Sequence, residues 1–156
     1  MEKDMKYFMQ PKLKEREIVE IPGVDTFKDK DGNVIPFKVQ ILNQQEISDI
    51  YDKYRKKTRL TDKKGKVIVE NGAPVTETEV DAKKALRRLI AEAVVYPNMK
   101  DKELMDFYEC YDYADMPIKL FPDPKNYNYV QNEVLKILGI NDDTDEDETD
   151  VDTAKN

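Results

Sequence analysis

A chain of 156 residues without a single histidine has few ways to do chemistry. Ser-His-Asp and Cys-His catalysis are excluded, as is every metal site ligated by imidazole. Cys110 is the only cysteine. That removes thiolate metal sites and internal disulfides, and it fits a reducing cytosol. With no histidine to activate it, Cys110 reads as a bland thiol. The five glycines are scattered and form neither GxxxxGK[ST] nor GxGxxG. Catalysis would have to run on carboxylates, lysines or tyrosines alone, and no pair of acids has a defensible catalytic spacing. The expectation is a protein that is not an enzyme, with no catalytic, cofactor-binding or metal-binding residues and no cofactor. Its partner-binding residues are not legible.

Two stretches imitate sites. DKDGN, beginning at Asp29, resembles the start of a calcium loop. That loop needs Gly at its sixth position and Glu at its twelfth, where this chain has Val34 and Gln40. Asp31-Gly32 is instead a tight-turn signal. The second stretch is basic: Lys53, Arg55, Lys56, Lys57, Arg59, Lys63, Lys64 and Lys66, against Asp52 and Asp62. It is the one stretch that could meet phosphate, and it carries the alternative reading of a small nucleic-acid-associated protein. Tyr51 and Tyr54 beside it fall on the apolar side of a helical pattern, so they suit a core better than a base-stacking platform.

Charge bounds the class further. The formal net charge is −7, and residues 141–156 hold eight acids against Lys155. That segment therefore accounts for the whole imbalance, and the remainder carries 25 acidic and 25 basic residues. Beyond Ile140 the sequence is too acidic and too poor in apolar residues to build a core. No apolar run approaches the roughly 18 residues of a membrane span. The first ten residues lack the apolar stretch of a signal peptide. Three regions follow: an arm at 1–15, either loose or docked by Tyr7, Phe8 and Met9; a folded domain at 16–140; and a disordered acidic tail at 141–156.

The elements of the domain follow from periodicity. Residues 17–21 and 34–41 read as short strands, the second an edge strand because of Pro36. Asn43 with Glu46 is a capping pair opening a helix that carries Ile47, Ile50, Tyr51 and Tyr54 and ends near Lys57. Residues 66–75 read as a hairpin turning at Asn71-Gly72. The strongest helical period runs from Thr78, taken as the cap with Asp81. It carries Val80, Ala85, Leu86, Leu89, Ile90, Ala93 and Val94, up to a stop at Pro97. Asn98 or Asp101 then caps a second helix bearing Leu104, Phe107, Tyr108 and Tyr111, and the pair reads as an αα-corner. Leu86, Leu89, Ile90, Ala93, Leu104, Phe107 and Val134 are expected to share one core. Asp115 opens a short turn whose Ile118, Leu120 and Phe121 cover that core. Asp123-Pro124 starts a last helix burying Tyr127, Val130, Val134, Ile137 and Leu138 and closing at Gly139. The fold class is α+β: a small, mainly helical domain with short N-terminal β-hairpins.

The order of these signals is similar to that of the XkdN-like phage tail assembly chaperones. The likeness is carried by FKDKDGNVIPFKVQIL, QQEISDIYDKYRKKT, DAKKALRRLIAEAVVYPNMKDKELMDFY and KLFPDPKNYNYVQNEVLKILG, over about residues 26–140. The chain departs from the family pattern in YECYDYADMPIKLFPDP. There Glu109-Cys110 and Asp123-Pro124 stand in place of a Tyr-Gly-Val-like turn and a Pro-Gly-Glu step. The resemblance implies a non-enzymatic protein of the host bacterial cytoplasm, absent from the mature virion and associated with contractile tails. It would hold the tape-measure protein soluble and recruit tail-tube subunits. Self-association is expected, through the strand at 34–41. Nucleic acid and membrane are not expected partners. Family members are often made in two lengths by a −1 frameshift. Ala154-Lys155-Asn156 can be encoded as GCA-AAA-AAC, which contains a slippery heptamer.

Overall fold

A computed structural model describes residues 4–9 and 16–140. The acidic tail, the frameshift position and most of the N-terminal arm lie outside the described residues. Within the arm, Met5–Phe8 form one 3-10 turn capped by Asp4. Tyr7, Phe8 and Met9 are 60–76% exposed.

The sheet at the base of the domain has three antiparallel strands. They are β1 (Ile18–Ile21), β2 (Phe37–Gln40) and β7 (Val94–Tyr96), in the order β1-β2-β7. Strand alternation buries Phe37 and Val39 and leaves Lys38 exposed. The expected edge strand is thus the central one. Pro36 lies just before it and removes no ladder donor, and β7 occupies the side left open to the sequence reading. The turn between β1 and β2 forms at Asp29, whose carboxylate accepts from the backbone N–H of Asp31 and Asn33.

Helix α1 (Gln44–Lys53) has the expected capping box. Asn43 accepts from the Glu46 N–H at 2.8 Å, and Glu46 accepts from the Asn43 N–H at 3.1 Å. It ends at Lys53 rather than Lys57. Arg55–Arg59 form β3, paired antiparallel with β6 (Thr76–Val80). Between them lie a turn closed by a Thr61–Val67 bridge and the short pair β4 (Val69–Glu70) and β5 (Ala73–Pro74). Asn71 and Gly72 at its tip both have positive φ, 52° and 79°. Nearly every side chain from 55 to 80 is exposed, so this segment is an arm standing off the body.

Helix α2 (Ala82–Ala93) is the centre of the core. Its cap is Asp81, which accepts from the Lys84 N–H at 3.2 Å; Thr78, the expected cap, is in β6. The αα-corner is replaced by helix–strand–helix. Pro97 disfavours helical geometry at Tyr96, and the free edge of β2 takes up residues 94–96. The Tyr96-Pro97 bond is cis. Asp101 caps α3 (Lys102–Phe107). Two short turns follow, the second being α4 (Met116–Leu120), and then α5 (Pro124–Ile137) capped by Asp123.

One core joins β2, α1, α2, α4 and α5, with Leu89, Ile90, Ala93, Met99, Met116 and Val134 all fully buried. Leu86, Leu104, Tyr127, Ile137 and Leu138 are only partly buried against it, while Leu135 is buried. Phe107 and Tyr111 lie outside, 78% and 98% exposed, and Ile118 is exposed too. Among the described residues helix accounts for 41% and strand for 22%, so the class is α+β rather than mainly helical.

Candidate interaction surfaces

Among the described residues no cluster of acids or cysteine could hold a metal ion, and no helix is long and apolar enough to cross a membrane. Cys110 is buried, and its Sγ donates to the Asp112 carbonyl at 3.0 Å. It follows Glu109, which holds φ +53° at the end of α3. The Cys110 N–H donates to Met105 O and the Glu109 N–H to Asp106 O. This is the Schellman closure that a glycine serves best, at the position where the family resemblance leads one to expect glycine.

The densest polar cluster centres on Glu92, near the end of α2. Arg88 Nε donates to it at 3.1 Å, Lys100 Nζ at 2.6 Å, and the Tyr113 hydroxyl also donates to it. The Arg88 guanidinium lies over the Tyr113 ring, 4.3 Å from its centroid. Burial works to raise the Glu92 carboxyl, but the hydrogen bonds from Lys100, Tyr113 and Arg88 outweigh it and hold the group below its ordinary value. Burial, reinforced by Glu92, pushes the Tyr113 phenol up to about 12. Arg88 and Lys100 share the one Glu92 carboxylate, so the cluster is an anchor between α2, the 97–101 turn and the 113–115 turn. It has no unengaged acid or base. Sequence spacing relates Arg88 to Glu92 but carries no signal for Lys100 or Tyr113.

Beside this anchor lies an apolar cavity of about 400 Å³, lined chiefly by Phe27, Phe37, Tyr96, Pro97, Leu104 and Tyr108. Two of its polar lining groups are engaged elsewhere: Asp101 caps α3, and Asn98 accepts from the Lys100 N–H. What remains is a concave apolar surface suited to holding a side chain of another molecule.

The basic stretch is divided by the fold. Lys53 ends α1, Arg55, Lys56, Lys57 and Arg59 lie on β3, and Lys63, Lys64 and Lys66 lie in the turn beyond it. Asp62 accepts from the Lys64 and Lys66 backbone N–H groups. Lys56 stands opposite Glu79, and Glu77 lies on the same strand. Tyr51 and Tyr54 pack against the core, so no aromatic platform accompanies the cations.

The family model described as phage XkdN-like tail assembly chaperone protein, TAC, matches residues 5–155. The chain belongs to the XkdN-like tail assembly chaperone family. Two curated relatives from Bacillus subtilis (strain 168) align over 143 residues, 92% of this chain and 89% of each relative. They are the uncharacterised protein YqbN, 29% identical, and XkdN of the phage-like element PBSX, 26% identical. The crystal structure of YqbN shares the fold, with a TM-score of 0.67 at 23% identity over 90% of this chain and all of that one. Membership of the XkdN-like family supports a role in phage tail assembly, with protein partners.

Proposed function

We propose that this chaperone binds the tape-measure protein of its phage or prophage and recruits tail-tube subunits to it during tail morphogenesis. Family membership over residues 5–155 carries this reading. A tape-measure protein exposes long apolar stripes before a tube encloses it, and weak exchangeable contacts would mask them without becoming permanent. The apolar cavity beside Tyr96 and Pro97 and the exposed arm at 55–80 are suited to such contacts. The same reading places the protein in the host cytoplasm, assigns it to contractile tails and leaves it out of the finished particle. It also includes self-association. Strand addition at β2, within residues 34–41, is blocked, because β2 is paired on both sides; the open edges among the described residues belong to β1, to β7 and to the two-stranded β3–β6 and β4–β5 pairs. A longer product made by −1 frameshifting would join the domain of residues 16–140 to a second binding segment, with the acidic tail as an extended linker.

The test is co-expression with the tape-measure and tail-tube products of the same genome. A tape-measure fragment should stay in the supernatant and co-purify only when this chain is present. Equal insolubility with and without it, together with no retention of tube protein, would refute the reading. Mass spectrometry of purified particles checks its absence from the virion. An immunoblot for a second, larger band checks the frameshift.

A further inference from the structure

The cavity beside Pro97 is graded from floor to mouth. Phe37 and Leu120 form its floor, and both are buried. Phe27, Leu104 and Tyr108 form its walls, each half-buried. Tyr96 and Asp101 stand exposed at its mouth. The rings are braced. Phe121 packs against Phe27 and Phe37 at centroid distances of 6.1 and 5.7 Å, and Phe107 meets Tyr108 edge-on at 5.0 Å. Among the described residues, Asp101 is the one charged group in this lining, and no lysine or arginine joins it. Its Oδ2 accepts from the Leu104 N–H at 3.0 Å. Its Oδ1 accepts no hydrogen bond, and the carboxylate has no ion-pair partner, among the described residues. Of its basic neighbours in the chain, Lys100 is bound to Glu92 at 2.6 Å, and Lys102 starts α3 outside the lining.

We propose that this cavity is a lysine site. It takes a lysine side chain of a partner protein, with the stem between the aromatic walls and the ammonium at the mouth beside Asp101. A purely aliphatic side chain would fill the floor and leave the carboxylate without a counter-charge. An acidic one would meet it at like charge. A side chain with an apolar stem and a cationic head matches both ends, and ring faces attract the cation. Arginine is served less well, because its fork is best met by two carboxylate oxygens and Leu104 already holds one. Burial of the stem supplies the affinity. The single exposed charge pair selects the head group and does not have to hold the partner by itself. Which protein presents the lysine rests on the tail-assembly reading; the preference of the cavity does not.

Titration of the nitrogen-15-labelled chain with n-pentylammonium, the lysine side chain through its Cα, tests the site against 1-pentanol and pentanoate at one pH and salt concentration. The amide resonances of Tyr96, Leu104 and Tyr108 should shift with n-pentylammonium at about tenfold lower concentration than with 1-pentanol. Pentanoate should leave them in place. Asp101→Asn removes the charge and keeps a residue that caps helices as well as aspartate does. With the far-ultraviolet spectrum unchanged, it should cut the preference to about threefold or less. Equal binding of 1-pentanol and n-pentylammonium would make the cavity purely apolar and overturn the proposal. So would a preference unchanged in Asp101→Asn, or cavity resonances unmoved by all three probes. No client protein enters the titration, so failure here and failure of the tail-assembly reading are told apart.

Discussion

Glu109→Gly should stabilise this protein, although it only removes atoms. Glu109 holds φ +53° where the chain leaves α3. An L-residue in left-handed geometry costs roughly 1–2 kcal/mol. Glycine removes that strain but has greater freedom in the unfolded chain, which takes back roughly 0.5–1 kcal/mol. The Glu109 side chain is exposed and has no hydrogen bond among the described residues, so little contact is lost. Removing a carboxylate from a helix C-terminus adds a few tenths of a kcal/mol at most. The net gain is about 0.5–1 kcal/mol. With an unfolding entropy of about 2.1 cal/mol/K per residue over residues 16–140, the Tm should rise by about 2–4 °C. Glu109→Ala keeps the Cβ and the strain while removing the charge, so it isolates the backbone contribution. Gly139→Ala is the reverse experiment. Gly139 closes α5 at φ +70°, and an added Cβ there meets no atom within 4 Å. Its loss of about 1 kcal/mol would be backbone strain alone. Calorimetric melting at one protein concentration reads all three. If Glu109→Gly melts at or below Glu109→Ala, the assignment of strain to Glu109 is wrong.

Leu89→Asp should cost at least about 3–4 kcal/mol in a urea titration, because Leu89 is fully buried and the carboxylate would have no partner there. Phe107→Ser should change stability by less than about 0.5 kcal/mol, since Phe107 is largely exposed; a large loss would return it to the core. Glu92→Gln should cost about 1–3 kcal/mol at neutral pH by weakening three hydrogen bonds. It should also flatten the acid limb of stability. The folded Glu92 carboxyl lies below its ordinary 4.5, so the unfolded chain takes up the proton first. Its stabilisation is complete above about pH 5 and is lost as pH falls through the folded value. Urea midpoints from about pH 5 to 3 should fall more steeply for the parent than for Glu92→Gln, the residual slope belonging to groups such as Glu46.

Local chemistry was legible in the sequence wherever it acts within a few residues. The capping box at Asn43 and Glu46, the Asp101 and Asp123 caps, the Gly139 closure and the apolar stripe of α2 all rest on neighbours in the chain. The sequence was also enough to read the exclusion of histidine chemistry and the acidic excess of residues 141–156, because these are matters of composition. Tertiary structure alone decided which strand is central. Residues 94–96 continue a helical period, but Pro97 and the open edge of β2 draw them into the sheet, and β2 thereby loses the edge it had been assigned. It likewise decided the fate of residues 55–59. Their backbone groups find a ladder in residues 76–80, a partner some twenty positions away that no local period announces. The Glu92 anchor and the cavity at Pro97 were invisible for the same reason. Each exists only when segments remote in sequence are brought together, and side chains such as Phe107 can lie on the expected helix and still face away from the core.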